Sequence, residues 1–148
     1  MKAVIQRVKK ASVKVGGETV GQISRGLLIF LGVFSEDTKE IAEKAAAKII
    51  KMRIFEDENG KTNLSLADIG GGILVVSQFT LCADIKKGNR PGFDKAAKPD
   101  FANEMYEYFI SLLKENCPDV RSGIFGADME VSILNDGPFT ILLDTNEL

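Results

Sequence analysis

The chain has 148 residues, 45% hydrophobic and 27% charged, the proportions of a globular protein with a sizeable core. Its formal net charge of −2 argues against bulk electrostatic attraction to a polyanion, though not against a local basic patch. It contains no histidine, which excludes Ser-His-Asp and Cys-His catalysis, imidazole metal sites and histidine general bases together.

Met1 to Arg7 lacks the apolar core and cleavage site of a secretory signal, and no apolar run reaches the roughly 20 residues that cross a bilayer. A cytoplasmic protein with no membrane partner is expected. Three short strands are predicted first: Ala3 to Ile5, the alternating stretch Ala11 to Val15, and, after a Gly16-Gly17 turn, Thr19 to Ile23. Arg7 reads as a solvated edge charge. Gly26 to Val33 is apolar throughout and predicts a strand buried on both faces. Asp37, followed three residues later by Glu40, predicts an N-cap and capping box for a helix whose stripe is Ile41, Ala42, Ala45, Ala46, Ile49 and Ile50. Met52 to Phe55 predicts a short strand, Asp57 to Gly60 a turn, and Asn63 to Ile69 a loop leading to Gly70-Gly71-Gly72. That triplet fits neither a dinucleotide nor a P-loop fingerprint and reads as backbone flexibility.

Ile73 to Val76 is apolar at every position, so the run to Leu81 predicts a second doubly buried strand beside the first. Ser77, Gln78 and Thr80 then place polar groups where the pattern predicts core. On a strand, Gln78 and Thr80 share one face, and Ser77 and Phe79 the other. Either neighbouring strands satisfy them or this strand end lines a pocket. Cys82 and Cys117 are too few for a disulfide framework and lack metal-ligand spacing, so they read as reduced thiols, with no metal or cofactor expected. Residues 84–98 carry five basic residues against two acids, with Phe93 among them. Lys86, Lys87 and Arg90 with an aromatic neighbour suit a phosphate backbone, against the plainer reading of a solvated loop. Pro99 predicts the first turn of a second helix running to about Asn116, with a stripe of Phe101, Met105, Tyr108, Phe109 and Leu112. Strands are predicted at Val120 to Gly126 and Met129 to Leu134, then an Asn135-Asp136-Gly137-Pro138 turn into Phe139 to Leu143. The predicted class is α+β: mostly antiparallel sheet with a barrel-like core, two helices on sheet faces, and one domain spanning 1–148.

Two separated motifs, Ser77-Gln78-Phe79-Thr80-Leu81 and Asn135-Asp136-Gly137-Pro138-Phe139-Thr140, give the chain a specific likeness. With Met1 to Val8 and Met52 to Phe55, it resembles the D-aminoacyl-tRNA deacylases over essentially its full length. The resemblance implies a homodimeric, metal-free enzyme that hydrolyses the ester joining a D-amino acid or glycine to the 3′ end of tRNA. Ser77, Gln78, Phe79 and Thr80 would then form the catalytic pocket, and Phe125 and Met129 would contact substrate. Gly137-Pro138, joined by a cis bond and held by Arg7, would enter the partner's pocket and exclude L-substrates. Backbone N–H groups near Phe79 and Thr80 can serve a developing oxyanion without histidine. The nucleophile stays open between the Thr80 hydroxyl, for which no activating base is evident, and water assisted by the substrate's ribose hydroxyl. Two other classes remain: a non-catalytic RNA-binding module working through the 84–98 loop, and a Thr-nucleophile hydrolase of small esters.

Overall fold

The computed structural model describes residues 1–148. In chain order it contains β1 (Lys2–Val15), β2 (Glu18–Ile23), β3 (Gly26–Gly32), α1 (Lys39–Ile50), β4 (Arg53–Glu56), β5 (Thr62–Ser65), β6 (Gly72–Ser77), α2 (Pro99–Lys114), β7 (Val120–Ser122) and β8 (Glu130–Asp144). The main sheet runs β2-β1-β3-β6-β7, with β8 on β1; β4 and β5 form a separate hairpin. Every pairing of β1 is antiparallel, whereas β3–β6 and β6–β7 are parallel, so the sheet is mixed. No helix is long and apolar enough to cross a membrane.

The two apolar runs are the centre of this sheet. On one face, Leu27, Ile29, Leu31, Ile73 and Val75 meet both helices in the larger core. On the other, Leu28, Leu74 and Val76 meet Val8, Ala11, Val13 and Ile23. The far half of β1 and all of β2 therefore curl over the sheet's second face, which gives the barrel-like form. Gly21 permits that closure: a Cβ there would lie 2.7 Å from the Ser122 carbonyl oxygen and 3.1 Å from Leu74 Cδ1. Phe55 and Phe109, fully buried in the larger core, each contribute about 1.5–3 kcal/mol.

Several local expectations change. The first two predicted strands are one 14-residue strand, because β8 pairs with nearly its whole length. Arg7 is buried, not solvated. The N-cap of α1 is Thr38, whose hydroxyl accepts from Ile41 N–H, and Asp37 instead accepts from the Met1 ammonium and Phe34 N–H. Asn63 to Ser65, expected in a loop, belong to β5 and pair with β4. In the Gly triplet, Gly70 adopts a positive φ as backbone freedom predicts, whereas Gly71 and Gly72 work by close approach: a Cβ on Gly72 would meet Asp119 Oδ2 at 2.7 Å. The buried face of α2 is Ala102, Met105, Tyr106, Phe109, Ile110 and Leu113, while Phe101, Tyr108 and Leu112 lie at its margin. β7 ends at Ser122, and a turn rather than a strand carries residues 124–127.

Two changes matter most for function. β6 stops at Ser77, and Phe79–Cys82 forms a one-turn 3₁₀ helix, so the alternating-face reading of Ser77 to Thr80 does not hold. The expected turn at residues 135–138 does not reverse the chain. β8 continues through it, and both halves pair with β1 along one line.

Candidate functional site

The 3₁₀ turn seats itself against the end of β3. Gln78 N–H donates to the Leu31 carbonyl at 2.8 Å, and Gly32 leaves room for the turn behind it. Phe79 and Thr80 open the turn, and the first N–H groups of any helix lack an intrahelical carbonyl partner. Ser77 and Gln78 are half-buried, Phe79 and Thr80 exposed, so these polar groups are not trapped in the core. Gln78 Nε2 donates to Thr80 Oγ1 at 2.5 Å.

Beside this turn lies a cavity of about 660 Å³. Ser77, Gln78 and Phe79 share its lining with Phe125 and Met129, which the turn after β7 delivers. Its walls are mostly apolar and include Val76, Ala97 and Val131. Phe93 joins them and meets the Phe79 ring edge-on at 5.0 Å, anchoring the basic loop to the cavity rim. Reciprocal backbone bonds between Asp84 and Gly92, 2.8 and 2.9 Å long, close that loop, with Lys86, Lys87 and Arg90 exposed on it. Tyr106 braces the far wall: its hydroxyl donates to the Val75 carbonyl at 2.9 Å and its ring packs 5.9 Å from that of Phe125. Burial pushes the Tyr106 phenol up to about 12, so it stays a donor at neutral pH. Burial likewise raises the Cys82 thiol to about 11, which leaves it no thiolate for nucleophilic attack.

Thr80, expected in the pocket with Ser77 to Phe79, lies outside the lining, and Arg7, Gly137 and Pro138 do not line this cavity within the chain either. Where β1 and β8 pair, Gln6 faces Thr140 and Val8 faces Asn135, so residues 136–139 bulge out opposite Arg7 alone. The Gly137–Pro138 bond is cis. Arg7 supports the bulge: Nε donates to the Asp136 carbonyl at 2.9 Å, Nη1 to the Ile54 carbonyl at 2.7 Å, and the guanidinium lies 4.5 Å from the Phe139 ring centroid. Asn135 ties its two ends, accepting from Phe139 N–H at 2.8 Å and donating to the Phe139 carbonyl at 3.1 Å.

A family model described as D-Tyr-tRNA(Tyr) deacylase matches residues 4–144. A D-aminoacyl-tRNA deacylase of Thermosipho africanus is 54% identical over 148 residues, covering all of this chain and 99% of the relative. The chain belongs to the D-aminoacyl-tRNA deacylase family. It is therefore a hydrolase. A second deacylase, from Dictyoglomus turgidum, is 56% identical over all of this chain and 95% of its own length. Among solved structures, one described as c-Myc DNA Unwinding Element Binding Protein superposes with a TM-score of 0.93 at 45% identity, covering 97% of this chain and 98% of that one.

Within this deacylase fold, sequence reasoning missed three contributors. Asp128 is the carboxylate of the cavity lining; its signal is its position between Phe125 and Met129. Tyr106 falls outside the stripe predicted for the second helix, and its hydroxyl's partner is a backbone carbonyl 31 residues away. Asn135 was read as a turn former, whereas its amide closes the bulge.

Proposed function

We propose that the protein hydrolyses the ester linking a D-amino acid, or glycine, to the 3′ end of tRNA, releasing the free amino acid and the tRNA. The observation that carries this reading is the shared cavity, with the opening N–H groups of a helical turn on one side and aromatic and apolar walls around it. Those walls suit the terminal base, which stacks on aromatic side chains. The adjacent N–H groups suit the carbonyl oxygen as it gains charge, a contribution of about 2.7–4 kcal/mol for each well-placed donor. Water adds to the carbonyl carbon, the bond to the ribose oxygen breaks, and that oxygen takes up the proton. In a chain without histidine, the neighbouring ribose hydroxyl relays the proton. Thr80 is an orienting group, because its side-chain partner is an amide, which is no base. Lys86, Lys87 and Arg90, held beside the rim by the Phe93–Phe79 contact, take tRNA phosphates.

Chirality is set by Gly137-Pro138 of a second copy. Backbone carbonyls close to the α-carbon leave room for hydrogen or a D side chain and clash with an L side chain. The exposed bulge on an edge strand, outside its own chain's cavity, supports that role.

The test is turnover of D- and L-aminoacyl-tRNA carrying the same amino acid, by the unaltered protein and by Gly137→Ala. A Cβ at residue 137 would sit 2.4 Å from Phe139 N, so this variant reshapes the bulge. Rapid hydrolysis of the D-ester alone is expected, with slower or less selective turnover by the variant. Equal D and L rates, or an unaffected variant, overturn the proposal. Binding without turnover indicates an RNA-binding module, and hydrolysis of small esters lacking RNA a Thr80-dependent hydrolase.

A further inference from the structure

A second depression, of about 500 Å³, lies across β2, β1 and β8. Lys10, Ser12 and Lys14 line it, with Ile133 and Leu134 of β8 at one end, while the intervening Ala11 and Val13 point into the smaller core. The depression is thus on the outer face of the curled sheet, opposite that core. Gln22, Ser12 and Ser132 stand directly across from one another on the three strands and form a polar rung. Lys10 and Lys14 flank the rung, about 13 Å apart along β1. Neither lysine takes part in an ion pair, and the lining contains no acid. Glu130, in register with Lys14, lies outside that lining.

The position is as informative as the charge. Val131, adjacent to Ser132, lines the candidate catalytic cavity, so the groove and the cavity meet along one strand. A strand ending in the cavity reaches the groove by crossing the edge of β8. We propose that this groove binds the phosphodiester backbone of the single-stranded 3′ segment of tRNA that ends in the cavity. The lysines supply compact positive charges to phosphates, and the hydroxyls and the Gln22 amide supply hydrogen bonds to phosphate and ribose oxygens. This inference rests on the deacylation of tRNA proposed above, and binding can be tested apart from turnover.

The experiment measures the salt dependence of binding to uncharged tRNA for the unaltered protein, Lys10→Ala/Lys14→Ala and Lys10→Arg/Lys14→Arg. A contact to a single-stranded phosphate contributes about 0.7 to the logarithmic salt slope, so losing two flattens it by about 1.4. Between 50 and 200 mM salt, the unaltered protein then loses about sevenfold more affinity than the alanine variant. The arginine variant should keep the full slope, and tRNA lacking its 3′ single strand should bind the unaltered and alanine forms equally. A slope unchanged in the alanine variant, or a difference that persists on the shortened tRNA, overturns the inference. Failure of the deacylase reading shows separately, as binding with no turnover of D-aminoacyl-tRNA.

Discussion

Thr80 sits on the helical turn beside the cavity but outside its lining, and its hydrogen bond bears on its role. A nucleophilic hydroxyl needs a base within hydrogen-bond reach, and the partner here is the Gln78 amide. An orienting hydrogen bond contributes about 0.5–1.5 kcal/mol, so Thr80→Ala should slow turnover by about tenfold or less. By contrast, removing the 2′-hydroxyl from the terminal ribose should slow it by about 10²-fold or more, the scale of a lost general acid–base group. Single-turnover kinetics on both substrates checks the two rates. An acyl group trapped on Thr80 and found by mass spectrometry would reverse the assignment.

Among the elements, the 3₁₀ turn is held by packing that leaves no spare volume. A Cβ at Gly32 would lie 2.9 Å from Leu81 Cβ, 3.1 Å from the Gln78 carbonyl oxygen and 3.3 Å from Cys82 Sγ. Overpacking of this kind costs about 1–3 kcal/mol. Gly32→Ala should therefore lower the melting temperature by about 2–4 °C per kcal/mol. It should also lower kcat, because the turn carrying Phe79 and Thr80 must move. Gly92→Ala is the control, since its nearest contact would be 3.9 Å away. Calorimetry together with turnover decides the matter: a destabilised Gly32→Ala enzyme with unchanged kcat would show that the turn's placement is irrelevant to catalysis.

At the scale of the whole molecule, β8 is an edge strand that leaves Leu142 66% exposed just past the bulge. An exposed apolar side chain beside a rigid protrusion matches an interface between two copies, which the proposed chirality filter requires. Sedimentation should give twice the 16.1 kDa chain mass, and Leu142→Asp should give a folded monomer with little turnover. A monomer with full activity would remove the partner from the mechanism.

Sequence alone determined which segments form the core, because continuous apolar runs at 26–32 and 73–76 have no solvent face, and both are central strands. It likewise marked Ser77 to Thr80 as the place where local pattern and chemistry part company, while Gly137-Pro138 stood out only through the family resemblance. Tertiary structure alone decided that Arg7 is buried, since its partners are carbonyls 47 and 129 residues away. It turned Phe79–Cys82 into a helical turn, because β6 ends where the backbone must fold against Gly32. It also brought Phe125 and Met129 to the cavity while leaving Gly137 and Pro138 outside it. Each of these outcomes depends on which distant backbone or side chain fills a given space. That is set by pairing register and packing across the chain, and no local window of residues encodes it.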